Sequence, residues 1–372
     1  MVVFIRSFIA DFDGKMQKYF SCINKNNIPF HYIGWARGDT KKISTTRETF
    51  FQKKAPLGGG INNIFNLFLW NFFIFKKLIK KRKNIKVVHA VDFDCALVSY
   101  IFCRLFKKVF VFDVYDKYTE VRKFPRILIA LIDKIEVFLI KRADLCILAD
   151  ENRYAQHGLS KNTQNIIVLE NVPSTSKILI SELKEIKADI QIGYFGVLEP
   201  ENRGLEDLID AVNMNSNITF HVVGYGGLSD FILENSKKYK NIRFYGPKTA
   251  EEGLNIMKSM DILVGMYYKT VKNHLFAAPN KYYEHLMLGR ALLTTIGTPP
   301  GEKVILNDTG WAVEEGKESL NNWLVSLHRD NSIIRKSNNA SKLWQEKYSN
   351  YYLNYYEGAY LMKIKNFVYG EN

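Results

Sequence analysis

The chain has 372 residues, 47% of them hydrophobic and 24% charged, with a formal net charge of +14. This composition excludes a disordered, collagenous or repeat-built protein, and the length suits two domains better than one core. The four cysteines, Cys22, Cys95, Cys103 and Cys146, are scattered and form no CxxC pair, which argues against a disulfide framework or a structural zinc site and fits a reducing cytosol.

In chain order, Val2–Ile5 reads as a buried first strand. It has no basic flank, and the apolar run ends in acids without a cleavage site, unlike a signal peptide. Asp13-Gly14-Lys15 follows as a first loop. Residues 61–83 then combine an aromatic run (Phe65, Phe68, Trp70, Phe72, Phe73, Phe75) with a basic end (Lys76 to Lys83). The run is too short and too broken by asparagines to span a bilayer. It suits a helix lying in a membrane interface, or a buried crossover helix with a solvated basic end. Arg122, Arg126, Lys141 and Arg142 add charge to the same half.

Further β-branched runs fall at Phe30–Ile33, Val87–Ala90, Val109–Asp113, Leu145–Ala149 and Ile166–Leu169. The alternation with helical stretches predicts a parallel sheet with crossover helices. His89, Asp113 and Asp116 lie at strand ends, where such sheets bind ligands; a core histidine satisfied by its neighbours is an equal reading for His89. The pattern restarts near Ile190. We therefore place a first domain at 1–172, a linker at 173–188, a second domain at 189–339 and a helical end at 340–372. Strands of the second half are expected at Ile190–Phe195, Ile218–Val223, Ile242–Tyr245, Ile262–Val264, Ala291–Thr295 and Gly310–Val313.

The sharpest local signal is Ala278-Pro279-Asn280-Lys281-Tyr-Tyr-Glu284, ending at Gly289 before the strand ALLTT. Pro279 opens a helix, Lys281 and Glu284 share one face, and Gly289 closes it. A helix N-terminus beside a lysine suits a diphosphate, and Glu284 could accept both ribose hydroxyls. An ordinary amphipathic helix with a surface Lys–Glu pair explains the same spacing.

This segment resembles the donor-binding signature of the retaining glycosyltransferases of family four, in the variant Pro-Asn-Lys-x-x-Glu-x-x-x-x-Gly. Tyr194-Phe-Gly-Val-Leu-Glu-Pro-Glu-Asn-Arg-Gly-Leu205 resembles the first strand and phosphate loop of that family's C-terminal domain, and Phe220 to Gly227 its second strand and loop. The resemblance covers residues 190–315 well and the first half only in architecture. It implies the GT-B fold: two Rossmann-like, doubly wound α/β domains facing across a cleft, with the C-terminal helix crossing back to the first. It also implies roles. Arg203 is placed on the pyrophosphate, Lys281 near the phosphates and Glu284 on the ribose. Gly196 lets the backbone approach the donor, and Pro279, Asn280 and Gly224 complete the nucleotide site. A tight turn is the other reading of the cluster Gly224-Tyr-Gly-Gly227. Gly14 stands where the family has its first glycine loop, and Asp116, with His89 and Asp113, is a candidate for acceptor or sugar contact. Two positions depart from the pattern: Phe276 replaces the first motif glutamate, and Val197 replaces the arginine of Gly-Arg-Leu. The triplets Asp11-Phe-Asp13 and Asp92-Phe-Asp94 read as accidental rather than metal-binding.

The expected activity is retaining, metal-independent transfer of a hexose from a nucleotide sugar, with UDP as the expected nucleotide. The expected acceptor is lipid-linked or an oligosaccharide, in bacterial surface polysaccharide assembly. Arg203, Lys281 and Asp116 would serve catalysis, with no cofactor and an anionic membrane surface as partner on the cytoplasmic side. A sugar-nucleotide epimerase of the same fold is a second reading. Nucleic-acid binding is a third, disfavoured because the densest basic run abuts an apolar helix instead of interleaving with aromatics.

Overall fold

A computed structural model describes residues 1–38, 41–55, 63–122, 124–174, 185–186, 189–327 and 332–370. Most of the expected linker, and residues 61 and 62 of the aromatic segment, lie outside the described residues. The chain divides into two compact units, Met1–Glu170 with Leu353–Asn372, and Asn171–Tyr352.

The first unit contains β1 (Val2–Arg6), α1 (Gly14–Lys25), β2 (Phe30–Ala36), β3 (Glu48–Gln52) and α2 (Ile64–Lys81). It continues with β4 (Val87–Val91), α3 (Phe93–Phe106), β5 (Val109–Val114), α4 (Arg126–Arg142), β6 (Leu145–Leu148), α5 (Asn152–Gln156) and β7 (Ile166–Val168). Its strands are all parallel, in the order β3-β2-β1-β4-β5-β6-β7. Both faces are covered, so the central strands are apolar at consecutive positions rather than alternately. One face packs Val3, Ile5, Val88 and Ala90 against Trp70, Ile74 and Leu78 of α2 and Phe102 of α3. Each of the Val, Ile, Leu and Phe side chains among them contributes about 1.5–3 kcal/mol through burial. The other face stacks Phe4, Tyr19 and His89. The aromatic segment is therefore a crossover helix on one side, while its opposite side stays exposed. β3 has no counterpart in the sequence-based reading. ETFFQ is short, sits at the sheet edge and is only partly buried, so neither alternation nor a continuous apolar run marks it.

The second unit contains β8 (Ile190–Val197), α6 (Leu205–Val212), β9 (Ile218–Tyr225), α7 (Ser229–Lys238), β10 (Ile242–Phe244), α8 (Ala250–Met257) and β11 (Ile262–Gly265). After these come α9 (Asn280–Leu288), β12 (Ala291–Thr295), α10 (Pro299–Leu306), β13 (Gly310–Val313), α11 (Lys317–Leu327) and α12 (Ser332–Leu343). Its parallel sheet runs β10-β9-β8-β11-β12-β13. Both sheets reverse their strand order once, at β1/β4 and at β8/β11. In such sheets the crevice outside the carboxyl ends at the reversal is where ligands bind.

The expected C-terminal helix is less regular than the sequence implies. Two π-helical stretches, Trp344–Tyr348 and Tyr352–Tyr360, separate α12 from α13 (Leu361–Tyr369). Tyr348 packs on Tyr283 within the second unit. From Leu353 onward the chain belongs to the first unit. There Tyr356 Oη donates to the Glu170 carbonyl (3.3 Å) and Tyr360 Oη hydrogen-bonds His89 Nδ1 (3.0 Å).

Candidate functional site

The site is built at the reversal point of the second sheet. β8 ends in Phe195-Gly196-Val197, and Lys281, in the first turn of α9, lies across this end. Its Nζ donates to the Phe195 carbonyl and stands 4.5 Å from the centre of the Tyr194 ring. Gly196 has φ +153°, and a Cβ there would collide with the Lys281 ammonium; a Cβ on Gly265, the last residue of β11, would lie 3.3 Å from Lys281 Cδ. These glycines make room for the lysine. Gly224 pairs with Gly196 in register. A Cβ on Gly224 (φ +151°) would overlap the Gly196 carbonyl, so the close approach of β8 and β9 is what requires glycine there.

α9 begins one residue later than Pro279, which stands in an extended conformation at the N-cap position, and no side chain caps the helix. The first-turn amides, which include those of exposed Asn280 and of Lys281, have no partner within a helix, and the helix dipole favours an anion beside them. Glu284 follows one turn later and shares a pocket lining with Lys281, Phe195, Leu254 and Met257. Arg203, just before α6, donates from Nε to Glu199 Oε2 (2.8 Å) and holds its guanidinium 5.0 Å from the Tyr267 ring centre. Tyr194 and Tyr267 are buried. Two cations and two carboxylates thus share one aromatic-walled corner.

Lys281 keeps some exposed surface, yet its ammonium is desolvated against Gly196 and Tyr194. Burial pushes its pKa down from 10.5 to about 8; nearby Glu284 opposes the shift and Arg203 adds to it. An anion seated at this corner, such as the diphosphate expected from the sequence, would be met by the ammonium form rather than by the neutral amine. Nucleoside diphosphate affinity is therefore expected to be flat below pH 8 and to fall above it, by up to about tenfold per pH unit while the protonated fraction drops. Isothermal titration between pH 7 and 10 checks this, and Lys281→Met should abolish the slope.

Six of the expected residues, Gly196, Arg203, Pro279, Asn280, Lys281 and Glu284, meet in this corner, with Gly224 beside Gly196. Gly14 and Asp116 belong to the first unit. Gly14 is the exposed first residue of α1. The N-terminus of α1 is occupied by the chain's own carboxylate: Asp13 accepts from the amides of Lys15 (3.1 Å) and Met16 (3.0 Å) and pairs with Arg6 (2.7 Å). Asp116, half-buried, pairs with Arg153 at 2.9 Å. Asp113 and His89 are fully buried. Lys15 Nζ donates to Asp113 Oδ1 (2.9 Å), Tyr19 Oη donates to Oδ2 (2.7 Å), and His89 Nε2 is 3.5 Å from Oδ2. Burial alone would raise the Asp113 carboxyl, but Lys15 and His89 hold it below the ordinary aspartate value.

The DxD carboxylates have internal partners. Asp94 accepts from Ser7 Oγ (2.7 Å) and Arg122 (3.1 Å), and Asp92 accepts from the Tyr115 amide (3.1 Å). Sequence reasoning did not single out Glu199, Tyr194 or Tyr267. Glu199 carried a signal, standing four residues before Arg203; the two tyrosines, one inside β8 and one two residues past β11, carried none. Phe276 closes a short 3-10 turn, Lys272–Phe276.

No family model matches the sequence, and no curated protein matches it. Solved structures resemble it in fold. HepE of Anabaena, in complex with UDP-glucose, superposes with a TM-score of 0.66 at 15% identity, over 97% of this chain and 99% of that one. Sucrose-phosphate synthase from Thermosynechococcus elongatus gives 0.71 at 14% identity over 98% of each chain. WaaG, a glycosyltransferase involved in lipopolysaccharide biosynthesis, gives 0.64 at 14% identity over the whole of both chains. Two parallel Rossmann-like units in one chain, matched end to end by these structures, establish the GT-B fold.

Proposed function

We propose that the protein is a retaining glycosyltransferase. It takes a hexose from a UDP-linked donor and passes it to a hydroxyl of a lipid-linked or oligosaccharide acceptor, in the assembly of a bacterial surface polysaccharide. The observation that carries the reading is Lys281 threaded across the β8/β11 reversal point, under an uncapped helix end and beside Arg203. This arrangement has the chemistry of a diphosphate seat. The resemblance of fold to structures bound to UDP-glucose agrees with it.

In the reaction the bond between the anomeric carbon and the β-phosphate oxygen breaks as the acceptor oxygen bonds to the same carbon. Negative charge grows on the departing diphosphate, and Arg203, Lys281 and the α9 amides stabilise it. The acceptor attacks from the leaving-group side, so its proton passes to a diphosphate oxygen and configuration is retained. The chain supplies no nucleophile, and the charge on the leaving group is met by side chains rather than by a metal. Glu284 holds the ribose, and Asp116 is assigned to the acceptor. The protein works on the cytoplasmic side, at an anionic membrane surface.

Glu284→Gln tests the donor site. The ribose is unchanged in the reaction, so its contact serves binding. A hydrogen bond to a charged group contributes about 1.5–3 kcal/mol. The Kd for UDP should rise tenfold to a hundredfold, by about that energy, with kcat nearly unchanged. Unaltered UDP affinity would remove Glu284 from the site. Incubating the protein with UDP-sugars without acceptor distinguishes the epimerase reading, which requires a new epimer to appear.

A further inference from the structure

The helices α2, α3 and α4 are successive crossovers running in the same direction along the first sheet, so right-handed connections place them on one face with parallel axes. α3 packs between the other two. Each leaves a large apolar stripe in solvent. On α2 the stripe is Phe65, Phe68 and Phe72, exposed to 67%, 68% and 63%. It lies opposite the buried line Trp70, Ile74 and Leu78. On α3 it is Leu97, Ile101 and Leu105, and on α4 Ile127, Leu131 and Phe138; Ile127 is 85% exposed. Spacings of three, four and, between Leu131 and Phe138, seven residues keep each stripe on one side of its helix.

Charge follows the same geometry. The α2 stripe continues as exposed Lys76 and Lys80, exposed Arg104 in the last turn of α3 is followed by exposed Lys107 just past its end, and the last turn of α4 carries exposed Lys141 and Arg142. Because the helices are parallel, these basic ends line up along one edge. α2 contains no acidic residue, the single acid of α3 (Asp94) is buried, and of the two in α4 Glu136 is buried and Asp133 bonds Thr119 Oγ1. Exposed Asp144, just beyond α4 at this edge, accepts from the Phe110 amide and lies 3.8 Å from Arg104, which offsets its charge. No described helix is long and apolar enough to cross a membrane.

We infer that the combined outer face of α2, α3 and α4 is a docking surface for an anionic bilayer. The apolar stripes enter the interface between headgroups and acyl chains, and the basic edge meets anionic headgroups. A lone aromatic helix could be covered by a loop or a partner. Three parallel apolar stripes free of exposed carboxylates and ending in one cationic edge match a flat, negative, apolar-cored surface. The inference deepens the lipid-linked-acceptor reading and rests on it only for the use of such a surface; donor binding belongs to the other unit.

The test is sedimentation of the full chain with phosphatidylcholine vesicles, with and without phosphatidylglycerol, at low and high salt. Binding should require phosphatidylglycerol and weaken at high salt, because surface charge is screened. Three paired changes, Phe68→Ser with Phe72→Ser, Ile101→Ser with Leu105→Ser, and Ile127→Ser with Leu131→Ser, should each lower partitioning about tenfold. All six positions are exposed, so unfolding midpoints should hold. The control pair Ile305→Ser with Leu306→Ser, exposed in the second unit, should leave partitioning unchanged. Recovery in the supernatant at low salt overturns the proposal. So does a response confined to the α2 pair, which leaves an α2 anchor only. Self-association lost on the same substitutions, without vesicle binding, also overturns it and makes the face a homotypic interface. UDP affinity measured on the same variants reports separately on the donor site.

Discussion

Arg203→Ala should lower kcat by about a hundredfold to a thousandfold, the cost of removing one charge-stabilising donor from an active site. UDP affinity should fall less, because in the proposed reaction the charge that Arg203 faces would increase only as the glycosidic bond breaks. The Glu199 contact adds a second effect. In the free protein the guanidinium is paired with Glu199 at 2.8 Å. Removing Arg203 leaves that carboxylate unmatched beside the proposed diphosphate seat. Glu199→Gln placed on top of Arg203→Ala should therefore recover part of the lost rate, whereas Glu199→Gln alone should cost little. Steady-state kinetics on the three variants, with UDP titrations alongside, make the comparison. Near-wild-type turnover in Arg203→Ala would overturn the assignment and most of the functional reading with it.

Asp113→Ala should destabilise the first unit by about 3–5 kcal/mol, the cost of stranding a buried charge. Lys15 and Asp113 have only 4% and 0% of their side-chain surfaces exposed, so deleting the carboxylate leaves an ammonium with no water to take its place, and Tyr19 loses its acceptor. Lys15→Met with Asp113→Leu should recover most of the loss, because apolar replacement of both partners removes the desolvation cost as well as the attraction. The folded pKa of Asp113 is depressed. Its contribution is therefore present above the unfolded aspartate value of about 3.9 and is lost as pH falls through the lower folded value. Urea unfolding followed in the first unit reads all three. A purely catalytic Asp113 would instead leave stability unchanged and remove activity.

These two sites differ in how far the sequence reveals them. Lys281 and Glu284 lie three positions apart on one helix, and Pro279 and Gly289 mark its ends, so spacing alone places the pair together. The strands were legible for a similar reason: a sheet covered on both faces needs consecutive apolar, β-branched residues, and those runs stand out between helical patterns. Ala291–Thr295 and Gly310–Val313 coincide with β12 and β13 residue for residue. β3 escaped because an edge strand needs no such run.

What the sequence determined by itself is specified within about one element: where the doubly covered strands and most helices run, which helix end carries a lysine, and the restart near Ile190. Tertiary structure alone decided what each side chain loses to solvent. His89 and Asp113 look like residues aimed at a ligand from their strand ends, but packing against Tyr19 and Tyr360, distant in the chain, buries them. The aromatic run of α2 reads the same all round, and only the sheet beneath it selects Trp70, Ile74 and Leu78 for the core and leaves Phe65, Phe68 and Phe72 in solvent. The physical reason is that periodicity is a local property, whereas desolvation depends on every element that packs against a residue; it is desolvation that pushes Lys281 to about 8.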